Sequence, residues 1–97
     1  MIRHVAMFIW LPEATDEQKQ RVGAGLATLP PLMTGLVGFS FGPDAGLAQG
    51  NADFTVVADF DNADSYLAYR NHPAHVDVIK RAINPIVKQR LGIQIEL

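Results

Sequence analysis

An α+β domain built on one antiparallel sheet is predicted by three observations. Four segments carry the β-branched and aromatic residues, in period-two alternation, that strands require. Two segments carry apolar residues at helical spacing, and the order along the chain is β-α-β-β-α-β. That order is the ferredoxin-like split βαβ pattern, a four-stranded antiparallel sheet with both helices on one face. With 97 residues and no linker, repeat or low-complexity tract, residues 1–97 read as a single domain.

Each element follows from local chemistry. Residues 2–10 are β-branched and aromatic, and Pro12 closes them, giving the first strand. Thr15-Asp16-Glu17-Gln18 is a capping-box pattern, in which the Thr hydroxyl and the Gln side chain satisfy free backbone N–H groups reciprocally. Val22, Leu26, Leu29 and Met33 follow at helical spacing, predicting a helix over roughly 16–29 that Pro30-Pro31 stops. Gly23 and Gly25 each weaken it by about 1 kcal/mol relative to Ala, which points to close packing of that face. Val37, Phe39 and Phe41 alternate over 36–41, a turn-rich connector fills 42–51, and Phe54, Val56, Ala58 and Phe60 alternate as the third strand. Asp61 is expected to cap a helix running through Tyr66 and Leu67 to about Arg70. His72-Pro73 breaks and restarts it, because Pro suits a first helical position and forces its predecessor out of the helical region. Val76, Ile79, Ile83, Ile86 and Val87 continue the apolar stripe, with a kink or break at Pro85. After Gly92, the alternation of Ile93, Ile95 and Leu97 predicts the fourth strand.

The sheet has an open face, and the first strand shows what covers it. Its even positions are Ile2, His4, Ala6, Phe8 and Trp10; its odd positions are Arg3, Val5, Met7 and Ile9. Both faces are apolar beyond Arg3, and Val57 repeats the tendency opposite Phe54 and Val56. A face wetted by solvent would be polar at every second residue. Soluble monomers seldom expose apolar patches of several hundred Å². A second copy packing sheet to sheet through a two-fold interface is the expected cover, with the 42–51 connector as the alternative. The 48% hydrophobic content agrees, since so short a chain has little interior of its own.

Composition excludes several classes. A net charge of −2 gives no basic stripe for nucleic acid. The absence of cysteine removes disulfides, thiolate catalysis and Cys-based metal sites, and fits a cytoplasmic protein. The apolar start is interrupted at Pro12 and Glu13, unlike a signal peptide, and apolar runs fall short of the ~20 residues of a membrane span. No cofactor motif is present: Gly42-Pro43-Asp44-Ala45-Gly46 precedes a strand, not the helix a phosphate loop needs.

The chemistry-bearing side chains cluster late in the chain. His72 is placed at the N-cap of the last helix and His75 in its first turn, bordering the stripe at Ile79. If the even face of the first strand looks toward the helices, His4 and His75 converge in one apolar cavity, where burial favours a neutral imidazole fit to act as a general base. Tyr69 can reach that cavity and donate to a carbonyl oxygen. Each has a plain alternative: His4 as a hydrogen-bonded core residue, His72 as a cap, Tyr69 and His75 as packing. His72 and His75 supply two metal ligands at best, with Asp77 the one further donor nearby. Asp59, Asp61 and Asp64 read as strand-end and helix-cap residues.

His4, Phe60 and the run Tyr69-Arg70-Asn71-His72-Pro73-Ala74-His75-Val76 together resemble the stress-responsive A/B-barrel (Dabb) family, over essentially the whole chain. The resemblance implies a ferredoxin-like protomer assembled as a dimeric α/β barrel. Family members are mixed in function, from plant stress proteins in large assemblies to a branch like olivetolic acid cyclase, which closes a linear polyketide by aldol condensation. By similarity to that branch, His75 is the base, Tyr69 the helper at the carbonyl, and His4 a residue of the pocket wall. The cyclase also uses a tyrosine in its first helix, and this helix has none, since both tyrosines are Tyr66 and Tyr69.

Two functions are therefore expected to compete. One is a cofactor-independent enzyme, without metal, that abstracts a proton or closes a ring on a polyketide-like or phenolic carbonyl compound. Cofactor-independent oxidation of aromatics, known in related dimeric barrels, is a variant. In it His75, Tyr69 and His4 act, while Phe8, Leu26, Tyr66 and Ile79 hold the apolar part of the ligand. The other is a non-catalytic protein that holds a small hydrophobic ligand or serves as a structural oligomer.

Overall fold

The computed structural model describes every residue from Met1 to Leu97. Its strands are β1 (Ile2–Trp10), β2 (Leu36–Pro43), β3 (Phe54–Phe60) and β4 (Val87–Glu96). Its helices are α1 (Asp16–Ala27), α2 (Ala63–Asn71) and α3 (Pro73–Val78). A 3₁₀ turn at Pro30–Leu32 follows α1, and a π-helical turn at Ile79–Ile83 extends α3. The sheet order is β2-β3-β1-β4 with every pair antiparallel, the ferredoxin-like arrangement. No helix is long and apolar enough to cross a membrane.

Alternation decides which face each strand side chain takes. On β3, Phe54, Val56, Ala58 and Phe60 are buried, and Thr55, Val57 and Asp59 between them lie opposite. Phe8 and Trp10 of β1 join the buried set, against Val22 and Leu26 of α1, Tyr69 of α2, Val78 of α3, and Leu29, Ile83 and Ile86. All helices therefore pack on the even face of β1. The capping box of α1 is present, with the Thr15 hydroxyl accepting from Gln18 N at 3.1 Å and Gln18 Oε1 accepting from Thr15 N at 2.9 Å.

The boundaries differ from the sequence reading at several points. α1 stops at Ala27, where the Thr28 hydroxyl donates to the Gly25 carbonyl and competes with a further turn, yet Leu29 still enters the core. β2 carries a bulge at Val37, so Val37 is 61% exposed and Leu36 takes the inward place opposite Phe60. Asn62, not Asp61, caps α2: its Oδ1 accepts from Ser65 N at 2.9 Å, while the Asp61 N–H is held by the Gly35 carbonyl. The restart at Pro73 rotates the stripe, burying Val78 and leaving Val76 49% exposed. The helix ends before Pro85 as expected, through a wide turn in which the Asn84 N–H donates to the Ile79 carbonyl. β4 starts at Val87, well before Gly92, because pairing with β1 recruits the polar stretch Lys88-Gln89-Arg90 into the ladder.

The face away from the helices is apolar. Val5, Met7 and Ile9 of β1 lie beside Val57 of β3 and beside Leu91, Ile93 and Ile95 of β4. Leu91, Ile93 and Ile95 are 53%, 56% and 45% exposed. Its charged feature is a two-pronged pair, Arg3 Nε and Nη2 to the two Asp59 oxygens at 2.8 and 2.9 Å.

Candidate functional site

The break between α2 and α3 organises the candidate site. In an unbroken helix the Arg70 carbonyl would accept the Ala74 N–H. Here Pro73 opens a new helix, and the Ala74 N–H instead donates to His72 Nδ1 at 3.0 Å, which makes His72 the N-cap of α3. The Arg70 carbonyl, one of the free carbonyls at the end of α2, then accepts from His75 Nδ1 at 3.2 Å. That bond fixes the tautomer. With the proton on Nδ1, the Nε2 of neutral His75 keeps its lone pair and can take a proton.

Tyr69 lies against this imidazole, with ring centroids 4.2 Å apart. His4 sits 6.2 Å from Tyr69 and 5.0 Å from Tyr66, measured between ring centroids. Gln94 on β4 donates its amide to His4 Nδ1 at 2.9 Å, so the neutral His4 carries its proton on Nε2. Burial pushes His75 below its ordinary value, partly offset by the Arg70 carbonyl. Burial also pushes His4 down, and the proximity of His75 adds to it. The Tyr69 phenol is driven well above its ordinary value by burial and then by Tyr66, which keeps it protonated as a donor. No polar side-chain atom sealed from solvent lacks a partner, and the Tyr69 hydroxyl, with none in the protein, opens into the space beside it.

That space is a cavity of about 440 Å³ between the sheet and the helices. His4, Tyr69 and His75 line it, as do Phe8, Leu26, Tyr66 and Ile79, so the structure brings together the seven residues expected to act on or hold a ligand. His72 stays outside as a cap. Val56 and Ile83 complete the apolar floor. The arrangement offers a basic nitrogen, a neutral phenolic donor and a second imidazole around a ligand-sized volume, which suits proton transfer next to a carbonyl.

Sequence reading missed the contribution of β4 and of Arg70. Arg90, Gly92 and Gln94 line the cavity, which Leu91 also borders, while Ile93 and Ile95 alternate with them on the other face of β4. The signal was present: from Arg90 to Ile95, polar or small residues alternate with large apolar ones in strand period. A larger depression of about 720 Å³ lies elsewhere, bordered by Trp10, Lys19, Phe41 and Asp53. It holds neither histidine nor tyrosine, so size does not mark the chemistry in this chain.

The family model for the Stress responsive A/B Barrel Domain matches residues 2–96. Among solved structures, a dimeric ferredoxin-like protein of unknown function from Thermobifida fusca YX is 41% identical, with a TM-score of 0.92 over 99% of this chain and 90% of that one. A dimeric protein of unknown function and ferredoxin-like fold from Bacteroides fragilis is 20% identical, with a TM-score of 0.84 over 99% and 95%. The hydroxynitrile lyase of Passiflora edulis is 13% identical, with a TM-score of 0.84 over 99% and 92%, and shares the fold. No protein of curated function matches the chain.

Proposed function

As this chain belongs to the stress responsive A/B barrel domain family, we propose that it works as a homodimer whose His75-centred cavity removes a proton α to a carbonyl. The observation that carries this reading is the bond from His75 Nδ1 to the Arg70 carbonyl, beside Tyr69 and inside the cavity. His75 Nε2 takes the proton, the electron pair moves into the C–C bond, and the Tyr69 hydroxyl donates to the oxygen as negative charge develops on it. The enolate then either regains a proton or attacks a second carbonyl of the same molecule in an aldol-type ring closure. His4, fixed by Gln94, lines the cavity beside them, and the proton held on His75 Nε2 returns to the carbon or passes to the oxygen of the closed ring. The substrate class proposed is a polyketide-like or phenolic carbonyl compound, its apolar part against Phe8, Leu26, Tyr66 and Ile79. The reaction as written needs no cofactor or metal.

The dimer is proposed to form through the open sheet face, where Leu91, Ile93 and Ile95 are exposed. The dimeric descriptions of the Thermobifida and Bacteroides proteins support it. A cytoplasmic location, with no nucleic-acid or membrane partner, belongs to the same reading. That a hydroxynitrile lyase uses this fold supports catalysis as a use of the scaffold.

Exchange of hydrogen for deuterium α to the carbonyl tests the chemistry. Phenyl and pentyl methyl ketones in D₂O, followed by NMR, should exchange faster with the protein than in buffer. The acceleration should vanish in His75→Gln and fall in Tyr69→Phe. Ketones that bind but exchange at the buffer rate would leave a non-catalytic ligand-binding protein as the better reading.

A further inference from the structure

The chain has five arginines, and three are paired with carboxylates: Arg3 with Asp59, Arg21 with Glu17, and Arg81 with Asp77. The two without a carboxylate partner, Arg70 and Arg90, both line the cavity that holds His75. They also line an adjoining recess outside it, where Lys80 joins them. No Asp or Glu borders either space, although acidic residues outnumber basic ones in the chain by ten to eight. The cations are therefore concentrated, against the overall charge, around one cavity whose floor is apolar.

Arg90 is also oriented. Its guanidinium donates to the Asn84 side-chain oxygen, and Asn84 is itself positioned by the wide turn that closes on the Ile79 carbonyl. A guanidinium is planar and presents parallel N–H donors that match the two oxygens of a carboxylate. Phe8, Leu26 and Ile83, which line the same cavity, are buried and can hold nothing charged. Exposed cations and a buried apolar floor thus face one volume, with Arg90 directly across the β1–β4 ladder from Phe8.

We infer that the ligand of this cavity is an amphipathic carboxylic acid, its carboxylate seated between Arg70 and Arg90 and its apolar body directed toward Phe8 and Leu26. The inference rests on the reading of the His75 cavity as the ligand site and deepens it by naming the substrate class. The acid group stays at the mouth, and the reacting carbonyl is one set deeper in the same molecule, beside His75 and Tyr69.

Matched probes test it by calorimetry and NMR on the full chain. Octanoate is compared with octan-1-ol, 4-phenylbutyrate with 4-phenylbutanol, and octyl phosphate serves as a second anion. At low salt each carboxylate should bind at least about tenfold tighter than its alcohol. The advantage should shrink as salt is raised. Arg70→Gln and Arg90→Gln should each remove most of it while leaving alcohol binding unchanged. Lys88→Gln, an exposed β4 residue outside both spaces, should change nothing. Both arginines are exposed, so the variants should keep the amide spectrum of the parent.

Alcohols that match their acids in the parent protein would overturn the carboxylate seat and leave the cavity reading standing. Octyl phosphate binding more tightly than octanoate, and lost in the same variants, would assign the seat to phosphate and overturn the carboxylate. If neither acids nor alcohols bind, the cavity is not a ligand site and both readings fall.

Discussion

Gly25 of α1 approaches Val78 of α3 so closely that a Cβ on Gly25 would lie 3.1 Å from one Val78 methyl and 3.3 Å from the other. Gly23, two positions earlier, is different: a Cβ there would meet Phe41 at an ordinary 3.5 Å. Neither glycine has a positive φ. Gly23→Ala should therefore stabilise by about 1 kcal/mol through helix propensity. Gly25→Ala should forfeit that gain by pushing Val78 off its packing. Urea unfolding of both variants checks the opposite signs.

Removing the His72 cap should affect stability and site unequally. His72→Ala should cost about 1 kcal/mol of stability, the usual worth of an N-cap. Because the first turn of α3 carries His75, α-proton exchange should fall on the order of tenfold as the base loses its orientation. His72→Asn, which restores a capping side chain, should recover most of both. Thermal melts and exchange rates read the two effects, and the ¹⁵N shifts of the His75 ring report its tautomer.

The two cavity histidines set the pH response. Both hold folded-state values below the ordinary 6.5. The unfolded chain therefore binds protons more readily, and stability rises with pH in the window just below 6.5. The stability is fully present above 6.5 and is lost as pH falls through the lowered folded values. Activity should follow the same direction, since only neutral His75 is a base, with a midpoint below 6.5. NMR titration of the histidine rings and melting temperatures between pH 5 and 8 check this. His75→Gln should flatten the dependence in part, and His4→Gln with it should flatten it further.

On the open face, Ile93→Glu should convert the dimer to monomer, since it places a charge at the centre of the apolar patch. Leu67→Glu should not, although Leu67 is exposed, because it lies on α2, which packs on the opposite face of the sheet. Asp59→Ala should weaken association by leaving Arg3 unpaired at the proposed interface, and Arg3→Met in the same chain should restore it. Sedimentation equilibrium measures all four.

Much of this molecule could be read from its sequence where one physical signal dominated. Strands with strict alternation, such as Phe54 to Phe60, and a helix with a full capping box left little choice. His4, Tyr69 and His75 could be placed together because the even face of β1 had to meet the helices. What escaped depended on partners distant in sequence. Lys88-Gln89-Arg90 has no strand signal of its own and becomes one through pairing with β1, which hid Arg90 from view. Gln94 sat inside the expected strand and needed only the register to show its bond to His4. Asp61 and Asn62 are both good caps, and the Gly35 carbonyl, across the sheet edge, decides between them. The shift from Val76 to Val78 in the buried stripe came from the restart at Pro73, whose phase the spacing alone did not specify.

β4 lends Arg90, Gly92 and Gln94 to the cavity and Ile93 and Ile95 to the open face, with Leu91 bordering both. On the proposed reading, assembly and ligand recognition fall on alternate residues of one edge strand, which on its other side has no neighbouring strand to steady it. Association that clamps one set of side chains also immobilises the other. By thermodynamic linkage the effect must be mutual: whatever factor the second copy adds to ligand affinity, the ligand returns to subunit affinity. A chain made monomeric at Ile93 should then bind its ligand more weakly without losing a single residue of the cavity.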